Sequence, residues 1–355
     1  MRCPHCARRL PARSEAACPV HPDAVAAHAA QTVRLTDTPS TAKVSRAAAA
    51  IQAVMAAAAQ EEDDTATASE PEPTIPGFQL EALIGEGGFA RVHAARRMHD
   101  GRAVAIKVAR RPGEVRMQRE IVALSRLAPP LVPELLGSGR TAGGRPYLVL
   151  ERLAGRSLAD WMASLPGTGS AAPSDALAIV TALGEALDAA HDVGVVHRDV
   201  KPENTWMRED GGVTLLDFGL VTGTAALGPK VTRPGEVLGT SIYMAPEQCL
   251  GLDTTGPSAD VYALGVVTFE LLTGRPPFVG APPIVRRAHV LQSPQAPSSL
   301  APLPSAIDGV VLQCLAKDPL ERPRRASELG PQLRTALHGW FENQSGRRAW
   351  AQAGT

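Results

Sequence analysis

The sequence is short of aromatic residues and of cysteine. Phe, Trp and Tyr together make up 4% of its 355 residues, and there are five cysteines. No apolar run approaches the ~18–20 residues that a membrane-spanning helix needs. The longest, in VYALGVVTFELLTG, is broken by Glu270 and reads as a buried core helix. Net charge is missing too, since 36 Lys and Arg balance 36 Asp and Glu. That argues against a general nucleic-acid binder, which carries a basic excess. The first residues, MRCPHCARRL, are charged but lead into no apolar stretch, so no signal peptide is expected. A soluble cytoplasmic protein is the expectation. What is present is ordinary for a globular chain: 44% hydrophobic and 20% charged residues, enough for a sizeable core.

Three zones follow one another. Residues 1–22 hold Cys3, Cys6, Cys18 and His21. In a reducing compartment such clustering points to metal before disulfide. Residues 23–77 form an Ala-, Pro-, Thr- and Glu-rich linker, with ten alanines between 41 and 60 that favour a helix there. From Phe78 the texture changes. FQLEALIGEG, ARVHAARR, AVAIKVAR and YLVLERL read as strands, whereas SDALAIVTALGEALDAAHDVG and ADVYALGVVTFELLTG, after residue 155, read as helices.

Within the strand-rich part, IGEGGFARV (84–92) sets Gly85, Gly87 and Gly88 between two strand-like runs. Glycine lets a backbone bend sharply and approach a ligand closely, though a plain hairpin turn would use the same residues. Fifteen residues after Val92, Lys107 stands among strand formers; thirteen further on, Glu120 lies in the helical run EVRMQREIVALSRL. A lone strand Lys is commonly just a solvent-facing residue, but an acid on a helix could aim its ammonium at phosphate oxygens. VVHRDVKPEN (195–204) then packs a base, cations, acids and an amide into eight residues.

Taken in order, IGEGGFARV, AVAIKV, Glu120, VVHRDVKPEN, LLDFGL, GTSIYMAPE, SADVYALG and KDPLERP resemble the eukaryotic-like Ser/Thr protein kinases, particularly the bacterial branch, from about Phe78 to Leu337. The resemblance implies an α+β bilobal fold, with a β-rich small lobe over 78–154, an α-rich large lobe over 155–337 and a tail at 338–355. It implies ATP and Mg²⁺ or Mn²⁺ as cofactors and Ser/Thr hydroxyls of proteins as acceptors. Ile84, Gly85, Gly87, Gly88, Val92, Ala105, Glu151, Leu153 and Trp206 would surround the nucleotide, with Leu150 behind the adenine. Lys107, paired with Glu120, would bind the α- and β-phosphates. Asp199 would accept the hydroxyl proton, Lys201 would sit near the γ-phosphate, and Asn204 and Asp217 would hold the metal. His197 and Phe218 would pack behind the site, Asp260 would anchor the catalytic loop, and Glu247 would pair with Arg322. Arg198 would receive an activation-loop phosphate, best matched by spacing to Thr232, with Thr222 and Thr224 as further candidates.

Two departures stand out. Ala90 replaces the third glycine of the loop, and Trp206 is much larger than the aliphatic residue usual beneath the adenine. The indole either reshapes the floor or alters nucleotide affinity. At the N-terminus, CPHC and CPVH are separated by eleven residues and look like a small Cys₃His zinc ribbon, with His5 as an alternative to His21. Such a unit would draw its folding energy from zinc and serve structure or protein interaction. The rival to an active kinase is a pseudokinase scaffold; a zinc-ribbon nucleic-acid binder is a third reading that neutral charge disfavours. Transient homodimers are an analogy only, and input is expected through the zinc segment, the linker or a partner protein.

Overall fold

The computed structural model describes residues 73–167, 169–218, 240–252, 255–338 and 340. The sequence segments expected to bind zinc, to form a helix at 41–60 and to carry Thr222, Thr224 and Thr232 lie outside these residues.

The small lobe is a five-stranded antiparallel sheet ordered β1-β2-β3-β5-β4. The strands are β1 (Phe78–Glu86), β2 (Ala90–Arg97), β3 (Ala103–Ala109), β4 (Leu135–Arg140) and β5 (Pro146–Glu151). Alternation along β3 divides its side chains between two faces. Val104, Ile106 and Val108 join Ala95, Val149 and Ile75 in a small core on one face. Ala105, Lys107 and Ala109 point to the other. Ile75 is only 2% exposed, and Phe78 N donates to its carbonyl at 3.1 Å. The fold thus takes in residues ahead of Phe78. Helix α1 (Val115–Arg126) packs on the face that carries Lys107; Glu114 caps it by accepting from Arg116 N.

The large lobe is helical: α2 (Leu158–Ala163), α3 (Pro173–Asp192), α4 (Pro246–Cys249), α5 (Pro257–Thr273), α6 (Pro282–Leu291) and α7 (Ala306–Cys314), with a further helical stretch over 329–338. Its small three-stranded sheet is ordered β6 (Arg156–Ser157), β7 (Thr205–Met207) and β8 (Val213–Leu215). Helix α5 is the hub. Fourteen of its residues are buried, so it has no polar face, as expected for a helix surrounded by protein. Pro257 opens it and Gly274, at φ 75°, closes it with a left-handed cap. Around it Ile179, Leu183 and Leu187 of α3, Ile307 and Val311 of α7, and Leu329, Leu333 and Leu337 complete the main core. Among the described residues, no helix is long and apolar enough to cross a membrane.

Candidate active site

Strand register assembles the roof of the site. Gly85 pairs with Val92, Val92 with Lys107, and Lys107 with Leu148, while Ala105 pairs with Leu150. Directly opposed residues share a sheet face, so Gly85, Val92 and Lys107 lie along one row, with Ala105 on the same face in the next. Gly87 N donates to Ala90 O at 2.9 Å and closes the turn. Gly87 and Gly88 are exposed, Ile84 is 47% exposed, and Val92 and Ala105 are half-buried. Leu150 is buried, and Glu151 and Leu153 follow it half-buried. The Glu151 carboxylate accepts from Glu134 N at 3.0 Å, so its side chain is tied to the sheet edge.

Lys107 is the electrostatic centre. Its ammonium donates to both oxygens of Glu120, at 2.8 and 2.7 Å, and lies 3.2 Å from Asp217 Oδ1. Burial works against the charge on Lys107, but Asp217 and Glu120 outweigh it and hold its pKa above the usual lysine value. Burial, with the charge of Asp217, pushes the Glu120 carboxyl up to about 7 against the pull of Lys107. Two carboxylates therefore face one ammonium, an excess of negative charge that a divalent cation at Asp217 would relieve. Phe89, in the glycine-rich turn, sets its ring 4.9 Å from Lys107 Nζ and 5.2 Å from the Arg116 guanidinium.

The catalytic-loop residues lie below. Asp199 Oδ2 accepts from Lys201 Nζ at 2.8 Å and from Asn204 Nδ2 at 2.9 Å. Its Oδ1 is buried with no hydrogen-bond partner. Asn204 Nδ2 also donates to Asp199 O at 2.9 Å, and Leu216 N donates to Asn204 O at 2.8 Å, which ties the loop to the strand leading to Asp217. The loop hangs from α5. Asp260, fully buried, accepts from His197 N at 2.9 Å and Arg198 N at 2.7 Å and contacts His191 Nε2 at 2.8 Å. Burial alone would raise its pKa, but these bonds and the neighbouring imidazoles lower it. Arg198 and Asp217 have φ of 67° and 61°, a left-handed backbone that ordinary residues adopt only when their surroundings enforce it. His197 contacts Leu216 O at 3.0 Å and its ring lies 4.6 Å from that of Phe218.

Two outlying groups complete the set. Arg322 forks onto Glu247 with bonds of 2.8 and 2.9 Å, both side chains buried. Arg198 Nη2 donates to Thr255 O, and Gln248 Nε2 donates to Arg198 O at 2.8 Å. Thr232, Cys3, Cys6, Cys18 and His21 lie outside the described residues.

Trp206 turns out to be tethered. Its indole Nε1 donates to Ala154 O at 3.0 Å, just past Leu153, so the side chain joins β7 to the segment linking the lobes. Gly155 makes this approach feasible. It has φ 117°, and a Cβ there would sit 2.1 Å from Met207 O and 3.1 Å from Trp206 Nε1. Neither Ala154, Gly155 nor Phe89 was singled out by sequence reasoning. A glycine four residues past the last strand of the small lobe and one of the few aromatics, set beside a glycine pair, were the available signals.

Residues 78–331 match the protein kinase domain. The chain belongs to the protein kinase family. It is 36% identical over 274 residues to the serine/threonine-protein kinase PknB of Mycolicibacterium smegmatis, covering 74% of this chain and 43% of that protein. It is likewise 36% identical over 271 residues to a probable serine/threonine-protein kinase PknB of Corynebacterium glutamicum, covering 72% of this chain and 41% of the relative. Against PknB of Mycobacterium tuberculosis the identity is 36% over 267 residues, with 72% and 42% covered. The chain thus spans less than half the length of these kinases.

Proposed function

We propose that this chain is an ATP-dependent protein kinase acting on Ser and Thr hydroxyls. The observation that carries the reading is Asp199. One oxygen is fixed by Lys201 and Asn204, and the other is buried and unpartnered. A buried acceptor left open is costly in a protein that has no use for it. Here it can take the hydrogen bond, and then the proton, of an incoming hydroxyl.

The residues present fit the cofactors of the family. Asp217 and Asn204 offer one carboxylate and one amide oxygen. Mg²⁺ commonly takes one or two protein oxygens and completes its shell with phosphate and water. Bound MgATP would supply the phosphoryl group and a counter-charge to Asp217. Lys107, released from sharing between two carboxylates, would then turn to the phosphates while Glu120 keeps it aimed. Lys201 would stabilise charge developing on the transferred group. Acceptor choice rests on the VKPEN and GTSIYMAPE segments and on the Ser/Thr kinases to which the chain is similar. The test is incubation with labelled ATP, Mg²⁺ and a mixed protein acceptor, followed by phosphoamino-acid analysis. Label on Ser or Thr supports the reading, and label confined to Tyr, or none, overturns it.

For the N-terminus the reading is Zn²⁺ held by Cys3, Cys6, Cys18 and His21, supported by the paired two-residue gaps. Metal analysis of the full chain beside Cys3→Ser with Cys6→Ser tests it; equal zinc content in both would refute it.

A further inference from the structure

At the end of β3, largely on the sheet face opposite Lys107, a pocket is lined by Pro73, Arg91, His93, Val108, Arg110 and Arg145, with Ala109 at its base. Arg91 pairs with Val108 and His93 with Ile106, which places them on the face that carries Ile75. The pocket measures about 30 Å³, room for roughly two water-sized groups. That suits the two oxygens of one carboxylate at a time, with a second held at the rim. Its wall holds three guanidiniums and a buried imidazole, and no carboxylate is among the lining residues.

Two of the arginines also hold the glycine-rich loop. Arg91 Nε and Arg110 Nη2 share Glu86 Oε1, at 2.9 and 2.7 Å, and Arg110 Nε donates to Gly87 O at 2.9 Å. The pocket therefore sits on the far side of the clamp that fixes the phosphate loop.

The chain reaches the pocket wall at Pro73 directly from residues 61–72, EEDDTATASEPE, which carry six acidic residues and no Lys or Arg. An extended chain covers ~3.5 Å per residue. Glu72 and Glu70 are thus tethered within roughly 10 Å of Pro73, at an effective concentration no free peptide would match.

We propose that segment 61–72 docks on this arginine pocket through Glu70 and Glu72, and that the docked carboxylates compete with Glu86 for Arg91 and Arg110, setting how firmly the phosphate loop is held. The linker ahead of the kinase domain becomes an input to the nucleotide site, read through charge.

Hydrogen exchange of the full chain tests this without depending on phosphoryl transfer. The variants are Arg145→Glu and Glu70→Gln with Glu72→Gln. Loss of a charge-assisted hydrogen bond speeds exchange over 66–77 by about tenfold or more in both, and exchange over 85–90 shifts with it. Exchange unchanged over 66–77 in the Glu70/Glu72 variant overturns the docking; an unmoved loop overturns its link to the nucleotide site. Glu70→Gln with Glu72→Gln alters nothing within the described fold, so it decides the outcome even where Arg145→Glu impairs folding.

Discussion

Replacing Asp260 by Asn tests the contact from which the catalytic loop hangs. The carboxylate now receives His197 N, buried, and Arg198 N, part-buried. An amide keeps one oxygen but turns an NH₂ group toward the other donor. The lost bond to a charged acceptor is worth ~1.5–3 kcal/mol and the stranded N–H a further ~1–3 kcal/mol. A total of about 2.5–6 kcal/mol is a large share of a domain's net stability of ~5–15 kcal/mol, and corresponds to a melting temperature lower by roughly 10 °C. The loop also loses what enforces φ 67° at Arg198, one residue before Asp199. A displacement of ~1 Å at a reacting group costs ~100-fold in rate. Calorimetric melting and phosphoryl-transfer rates on one preparation read both effects. A variant melting within 2 °C of wild type and turning over within a factor of three (roughly 0.7 kcal/mol of barrier) would refute the reasoning.

Three further outcomes are expected. Gly155→Ala forces a Cβ against Met207 O and beside the Trp206 indole; nucleotide affinity measured by calorimetry should fall at least ~tenfold, as the segment joining the lobes shifts, while Trp206→Leu should weaken binding less. Arg322→Met strands Glu247 in the core, and breaking such a buried pair costs ~3–5 kcal/mol in chemical denaturation. His289, buried against Tyr262, Phe278 and Lys317, has its pKa pushed down to about 4 by burial and then by Lys317. The unfolded chain binds its proton first on acidification, so stability falls as pH drops from ~6.5 toward 4; between pH 7 and 5 wild type should lose ~2 kcal/mol more than His289→Gln.

Much of this architecture was legible in the sequence, and the reasons differ by element. The largely apolar run of α5, interrupted by Glu270, read as a buried helix, and it is one. Lys107 alone could have been a solvent-facing strand residue; the family resemblance paired it with Glu120, and the structure puts them 2.7 and 2.8 Å apart. Asp260 was legible because the family resemblance assigned a role that its three bonds now explain. Other features depend on proximity that no local pattern encodes. The Trp206 indole reaches Ala154 across 52 residues of sequence, and the steric question posed by its size had to await that partner. Ile75 looked like linker because a single apolar residue between prolines carries no periodicity, yet it completes the outer core of the small lobe. Phe89 looked like part of a turn until its ring was found against Lys107.

The central claim is that Asp199 takes the acceptor proton while other residues hold the nucleotide. Autophosphorylation with labelled ATP and Mg²⁺, wild type beside Asp199→Asn, with nucleotide affinity measured on both, tests it most directly. The account requires labelled Ser or Thr in wild type, a loss of ~100-fold or more in the variant, and affinity within a few-fold. Equal labelling of both proteins would contradict it, as would a variant that loses activity only because it no longer binds nucleotide.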